Sequence, residues 1–93
     1  MFEILTFRLA PGVDEPTFRT LDERVQVEFA YHQTGFLRRS LGRHVDGRWL
    51  VLTVWADAES ALAAARAFER SELGGAFAAR LADVSVERFH GVG

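Results

Sequence analysis

The chain has 93 residues, a length that allows one hydrophobic core and therefore a single domain over residues 1–93. Hydrophobic residues make up 48% and charged residues 26%, a composition typical of a globular protein and not of a disordered one. Eleven basic residues against thirteen carboxylates leave a net charge of −2, so we expect no surface for nucleic acid or an anionic membrane.

Several classes of site are absent from the sequence. Without cysteine there is no disulfide, thiolate nucleophile or cysteine-based metal site. No glycine-rich phosphate loop and no HxH, HxxH or HExxH motif occurs, so we expect neither a metal nor another cofactor. The opening Met1-Phe2-Glu3-Ile4 lacks the basic start of a signal peptide, and the longest apolar run, Trp49 to Ala56, is far shorter than the ~20 residues of a membrane span. We therefore expect a cytoplasmic protein.

The predicted elements begin with a strand over residues 2–9, which ends at the turn Ala10-Pro11-Gly12. A helix follows from about residue 15 to 33, with Asp14 as its N-cap and Gly35 at its C-terminal end. At roughly 100° per residue, one face of this helix carries Phe18, Leu21, Val25, Phe29 and His32. Ala30 falls outside that face.

The second half of the chain begins with a hairpin. Its strands are predicted over Phe36 to His44 and Trp49 to Trp55, joined through Asp46-Gly47. An alanine-rich helix capped by Asp57 then runs to about Glu69, and Gly74-Gly75 breaks it before a short helical piece that carries Phe77 and Leu81. The last strand is predicted over Val84 to Val92, with Val84 and Val86 on one face and Phe89 on the other.

This order predicts an α+β, ferredoxin-like βαββαβ fold with a four-stranded antiparallel sheet. Both faces of the first and third strands are apolar, so these strands are predicted to be central. Right-handed crossovers place both helices on one side of the sheet. We therefore expect a second copy of the chain to cover the other side, in a homodimer whose two sheets face each other. The alternative is a monomer whose third strand is merely rich in β-forming residues.

His32 is the first candidate catalytic residue. It lies in the predicted apolar stripe one turn after Glu28, and a Glu-to-His contact at this spacing can orient or charge the imidazole for use as a general base. The alternative, which we favour, is a histidine in the last helical turn that hydrogen-bonds a free carbonyl.

Other candidates are residues that line or fill the predicted core. Trp55 is first a packing residue and second a wall for a flat ligand. Arg39 is able to hold a carboxylate or enolate, although solvation or pairing across a dimer is the more common role of such an arginine. The alanines of the second helix predict either close packing on the sheet or a cavity.

Several segments together resemble a known superfamily. They are Thr34-Gly35-Phe36-Leu37 before a basic strand, the hairpin Asp46-Gly47, and the run Val51-Leu52-Thr53-Val54-Trp55-Ala56-Asp57-Ala58-Glu59-Ser60-Ala61-Leu62. This pattern resembles the dimeric α/β-barrel superfamily, most closely its antibiotic biosynthesis monooxygenase-like branch. The resemblance implies a homodimer with a pocket between sheet and helices in each subunit. It also implies relatives that include cofactor-independent monooxygenases of aromatic polyketides, polyketide cyclases and haem-degrading enzymes.

Two departures from that pattern narrow the range of functions that the resemblance implies. Haem-degrading relatives carry a tryptophan and an iron-binding histidine at positions that fall near Ala64 and Ala78 here, so haem degradation is not expected. The histidine that many relatives carry on the second helix is also absent, which weakens the case for oxygenase chemistry.

Two functions follow as hypotheses. The first is a cofactor-independent monooxygenase-like or cyclase-like enzyme acting on an aromatic or polyketide-like molecule, with His32 as base, Glu28 as its orienter, and a substrate pocket that includes Trp55, Phe68, Phe29 and Arg39. The second is a non-catalytic dimer that binds a small apolar ligand or has a structural or regulatory role. A cavity reached by His32 favours the first, and a gap closed by alanines favours the second.

Overall fold

The computed structural model describes all 93 residues. Its main elements are β1 (Phe2–Leu9), α1 (Glu15–Arg24), β2 (Phe36–Arg43), β3 (Trp49–Trp55), α2 (Ala58–Arg70), α3 (Glu72–Ala78) and β4 (Leu81–Phe89). A π-helical turn, Val25–Phe29, and a 3₁₀ turn, Ala30–His32, continue α1 towards β2. The predicted βαββαβ order is confirmed. No helix is long and apolar enough to cross a membrane.

The four strands form one antiparallel sheet in the order β2-β3-β1-β4. The two strands that are apolar on both faces, β1 and β3, are therefore central, as predicted. All helices pack on one side of the sheet, which we call the inner face. There a core cluster joins the sheet to the helices through Phe7, Phe18, Val25, Trp49, Val51 and Phe77.

Aspartate caps fix the start of the two longer helices. The Asp14 carboxylate accepts a hydrogen bond from the Thr17 N–H at 2.9 Å, and the Asp57 carboxylate accepts one from the Ser60 N–H at 2.7 Å. These bonds to the charged form hold the pKa of both carboxyls below the usual value. Both helices thus begin where the sequence predicts, because a free backbone N–H at a helix start needs such an acceptor.

The first helix differs from the single helix predicted over residues 15–33. The π-helical turn has i→i+5 bonds and adds about one residue to one turn, so positions after it are rotated relative to a regular helix. Ala30, predicted to face away from the stripe, is buried, and His32, predicted to lie on it, is exposed. A constant rotation of 100° per residue therefore does not describe the helix beyond the π-helical turn.

The end of the second helix also differs from the prediction. The break falls at Ser71, and Gly74-Gly75 lies inside α3. A Cβ on Gly74 would lie 1.8 Å from the Phe68 carbonyl oxygen, so this glycine is required for close approach of α3 to the end of α2. β4 then begins at Leu81, three residues before the predicted Val84, and ends at Phe89 instead of Val92.

The opposite side of the sheet, which we call the outer face, has no helix over it. Strand alternation and register place on it the apolar side chains of Phe2, Ile4, Leu50, Leu52, Val54 and Phe89. Phe2, Leu50 and Phe89 are 37–47% exposed. The sheet is therefore apolar on two faces while its own helices cover one.

Candidate functional site

A cavity of about 290 Å³ lies between the inner face of the sheet and the helices. This is close to the lower end of the volumes typical of small-molecule sites. The cavity reaches the surface beside the edge strand β4, where Val84 and Val86 line it and remain about half exposed. The alanines of α2 therefore leave a gap, and do not close the space between helix and sheet.

The helix side of the cavity is apolar. Phe29 of the π-helical turn, Phe68 of α2 and Phe77 of α3 contribute aromatic rings, and Ala64 and Ala65 leave room beneath α2. The ring centroids of Phe29 and Phe68 are 4.9 Å apart, and those of Phe68 and Phe77 are 5.8 Å apart. This wall fits the flat, apolar surface of an aromatic molecule.

The sheet side carries a line of polar residues that crosses all four strands. In register, Arg39 of β2 lies opposite Thr53 of β3, Thr53 lies opposite Glu3 of β1, and Glu3 lies opposite Arg88 of β4. All four residues line the cavity. We call this set the polar row. The neighbouring inward positions, Leu5, Val51 and Val86, are apolar.

Trp55 stands at the end of β3, two residues beyond the polar row. Its side chain is 5% exposed, lines the cavity and packs edge-on against Phe36, with ring centroids 5.8 Å apart. The indole Nε1 is the one fully buried side-chain nitrogen or oxygen that has no hydrogen-bond partner. A buried donor without an acceptor costs about 1–3 kcal/mol. Because Nε1 is fully buried, an acceptor in the cavity would reach it only after the indole ring turns towards the cavity.

Arg39 is already paired inside the chain. Its Nη2 donates to Asp22 Oδ1 at 2.6 Å and its Nη1 donates to Asp22 Oδ2 at 3.0 Å, with the Gln26 Oε1 at 3.5 Å from Nη1. The two charged side chains are 5% and 8% exposed. Arg39 lines the cavity as predicted, but the anion that it holds is Asp22, and it is neither solvated nor free to pair across a dimer.

Comparison with known proteins identifies the fold. No family model and no curated protein matches the sequence. Among solved structures, a variant of SnoaB, a cofactor-independent oxygenase from Streptomyces nogalater, superposes with a TM-score of 0.78 at 18% identity, over 98% of this chain and 93% of that one. A second, named antibiotic biosynthesis monooxygenase, gives 0.65 at 17% identity over 100% of both chains. A conserved protein from Methanosarcina mazei gives 0.73 at 13% identity, over 92% of this chain and 87% of that one.

The chain has the antibiotic biosynthesis monooxygenase-like fold. The resemblance noted in the sequence is thereby confirmed at the level of structure, including the pocket between sheet and helices. Identities this low establish a shared fold and leave the activity to be argued from the site.

Within this antibiotic biosynthesis monooxygenase-like fold, the predicted pair Glu28 and His32 lies outside the cavity. Both residues are exposed, and neither lines the space between sheet and helices. The Glu28 carboxylate binds Arg24 instead of His32, at 2.8 Å from its Nε. This ion pair lowers the pKa of Glu28, the hydrogen bond from Arg24 being the main cause. The structure therefore does not bring the two residues together, because the π-helical turn rotates the end of the first helix.

The predicted pocket residues, unlike Glu28 and His32, lie at the cavity. Trp55, Phe68, Phe29 and Arg39 all line the cavity, on four different elements. Whether they bind a substrate remains a prediction. No group of three histidine or carboxylate side chains lies close enough together to hold a metal ion.

Three residues of the polar row were missed by sequence reasoning: Glu3, Thr53 and Arg88. Glu3 has the same parity as the inward Leu5 and Phe7, and Thr53 has the same parity as the inward Val51 and Trp55. A polar residue at an inward position of a central strand was therefore the available signal. Arg88 has the same parity as the inward Val86, so the same signal was available on the edge strand β4.

Proposed function

We propose that the cavity binds a small aromatic or polyketide-like molecule and that the chain acts on it as a cofactor-independent monooxygenase-like or cyclase-like enzyme. The observation that supports this most strongly is the lining of the cavity by the aromatic rings of Phe29, Phe68 and Phe77. After a turn of the Trp55 ring, its unpartnered N–H would donate to a conjugated carbonyl of the ligand while Phe29 and Phe68 contact the ring faces. Withdrawal of electron density towards the carbonyl would then make a hydroxyl on the same ring system easier to ionise.

The fold supports the same assignment. SnoaB is named a cofactor-independent oxygenase, and it superposes over nearly the whole of this chain. The chain's own site offers apolar walls and a hydrogen-bond donor, which suits an aromatic ketone better than a highly charged metabolite, because the two cavity arginines are each already paired with a carboxylate.

A homodimer is part of the proposal. The apolar outer face has no helix over it. The outer face of a second copy is equally apolar and would pack against it. Each subunit would keep its own cavity, since the cavity lies on the inner face.

The proposal is tested with 1,8-dihydroxy-9-anthrone, a tricyclic aromatic ketone with phenolic hydroxyls. Calorimetric titration should show saturable binding to the wild-type protein. Trp55→Phe keeps an aromatic ring but removes the donor, so the affinity should fall about three- to tenfold, the value of one hydrogen bond. Trp49→Phe is the matched control, because Trp49 is equally buried but does not line the cavity.

Turnover is measured as oxygen uptake with the same probe. In an oxygenase reaction the methylene carbon of the anthrone becomes a carbonyl, with one O₂ consumed and one H₂O released per molecule. Binding without oxygen uptake would favour the alternative, a non-catalytic ligand-binding dimer. Equal affinity of wild type and Trp55→Phe would contradict the role of the indole.

A further inference from the structure

The polar row contains a carboxylate oxygen that accepts no hydrogen bond from the protein. Glu3 is on a central strand, its side chain is only 20% exposed, and Arg88 Nε donates to its Oε2 at 2.8 Å. The other carboxylate oxygen, Oε1, accepts no hydrogen bond from the protein. Burial of a carboxylate is costly, so a half-buried one on the floor of an apolar cavity calls for an explanation.

Glu3 and Trp55 are placed to contact one ligand. Glu3 lies directly opposite Thr53, and Trp55 is the next inward residue along β3, so Glu3 and Trp55 are diagonal neighbours on the sheet. Residues in this relation lie about 7–8 Å apart, with their Cβ atoms somewhat closer. A donor and an acceptor thus flank the same part of the cavity, at a separation that a fused-ring molecule can span.

We propose that Glu3 is the catalytic proton acceptor of this site and that Arg88 is its positioning residue. The inference rests on the proposed function. In the step concerned, the O–H bond of a ligand hydroxyl breaks, the proton moves to Glu3 Oε1, and the electron pair of the bond stays on the ligand oxygen. The products are a neutral Glu3 carboxylic acid and a ligand phenolate or enolate. The positive charge of Arg88, no longer balanced by Glu3, then stabilises that anion.

The use of a carboxylate as the base also restricts which ligand hydroxyls can lose a proton to it. Carboxylates are weak bases, and a simple phenol such as the tyrosine side chain has a pKa of about 10. Proton transfer to Glu3 therefore requires a hydroxyl made more acidic by conjugation, and the carbonyl held by Trp55 supplies that conjugation. The substrate class is a hydroxy-substituted aromatic ketone or a related enol.

The other charges around Glu3 do not duplicate its role. Arg39, at the far end of the polar row, is neutralised by Asp22. Glu69, near the end of α2, lines the same cavity but is exposed. The control is Glu59, an exposed carboxylate of α2 that lies outside the cavity.

The contact is tested without turnover by using juglone, 5-hydroxy-1,4-naphthoquinone, whose ionised form has a different visible absorption. The chain has no cysteine, so juglone cannot form a thiol adduct with it. The pKa of the bound probe is measured by pH titration in wild type, Glu3→Gln, Glu3→Asp and Glu59→Gln. A facing carboxylate disfavours the phenolate, so Glu3→Gln should lower the bound pKa by about one unit, a tenfold change in the ionisation constant. Glu3→Asp and Glu59→Gln should remain near wild type.

The catalytic role is tested by oxygen uptake with 1,8-dihydroxy-9-anthrone across pH. Glu3→Gln should lower kcat at neutral pH by about 10²-fold or more, with KM nearly unchanged. The rate should recover towards wild type at a pH where the free probe is ionised, because no base is then needed. Glu59→Gln should not differ from wild type at any pH.

The outcomes separate the two proposals. If neither probe binds the wild-type protein, the proposed function is wrong and the inference falls with it. If the probes bind but Glu3→Gln changes neither the bound pKa nor kcat, only the role of Glu3 is wrong. If Glu3→Gln does not fold, Glu3→Asp decides: a wild-type bound pKa with a reduced kcat supports the inference, and an unchanged kcat overturns it.

Discussion

Asp22 and Arg39 form the most deeply buried ion pair of the chain, with both side chains under 10% exposed. Two charges in such a place are costly, and their attraction repays the cost only through good geometry. The bidentate contact at 2.6 and 3.0 Å supplies that geometry and ties α1 to the edge strand β2. It also leaves one wall of the cavity without a free cation, which is consistent with a neutral ligand.

Replacing one partner of this pair should lower the free energy of unfolding far more than replacing both. Asp22→Ala leaves the Arg39 charge buried and unpaired, so we expect the free energy of unfolding to fall by about 3–5 kcal/mol, measured by urea denaturation. The double variant Asp22→Leu/Arg39→Met should recover most of this loss. The control is Glu28→Ala, which removes an exposed pair with Arg24 and should leave stability nearly unchanged. Equal losses of stability for Asp22→Ala and Glu28→Ala would contradict the argument that a buried, unpaired charge causes the loss.

Individual residues differ in how well the sequence predicts their place. Trp55 and Phe68 line the cavity because regular strand alternation and regular helical spacing hold up to those positions. Glu3 and Asp22 were missed for a different reason. Their partners, Arg88 and Arg39, are 85 and 17 residues away, and only the register of the folded sheet and the packing of α1 bring them together.

At the scale of elements, prediction from the sequence fails where the backbone departs from a regular helical or strand repeat. The order of strands and helices, the central strands and the aspartate caps follow from local pattern. The π-helical turn and the bulges in β2 and β4 each shift the phase of a side-chain pattern by one position. This explains why Glu28 and His32 lie outside the cavity, while Phe29 and Ala30 line it.

The junction of α2 and α3 offers a matched pair of glycines for a test. Gly74→Ala places a Cβ against the Phe68 carbonyl, so the junction must shift, and we expect a loss of about 1–3 kcal/mol in the free energy of unfolding. Gly75→Ala meets nothing within 4 Å and improves helix propensity, so it should raise stability by up to about 1 kcal/mol. Thermal and urea unfolding measure both. A neutral Gly74→Ala would show that α3 does not pack against α2 as closely as described.

At the scale of the whole molecule, the uncovered outer face is the feature that a single chain does not explain. Leu52 lies at its centre, on β3, and faces the same side as Ile4 of the neighbouring β1. If a second chain covers this face, a carboxylate at position 52 would be buried in the interface without a partner, which is strongly unfavourable. We therefore expect the wild-type protein to sediment as a dimer at micromolar concentration and Leu52→Glu to sediment as a folded monomer.

The control for this test is Leu62→Glu. Leu62 is also an exposed apolar residue, at 43%, but it belongs to α2 on the other side of the sheet. The same change in charge and hydrophobicity there should leave the dimer intact, so a difference between the two variants isolates the outer face. A monomeric wild-type protein, or a dimer that both variants preserve, would contradict the sheet-to-sheet assembly. Retained binding of 1,8-dihydroxy-9-anthrone by monomeric Leu52→Glu would show that the cavity is complete within one chain, as its lining residues indicate.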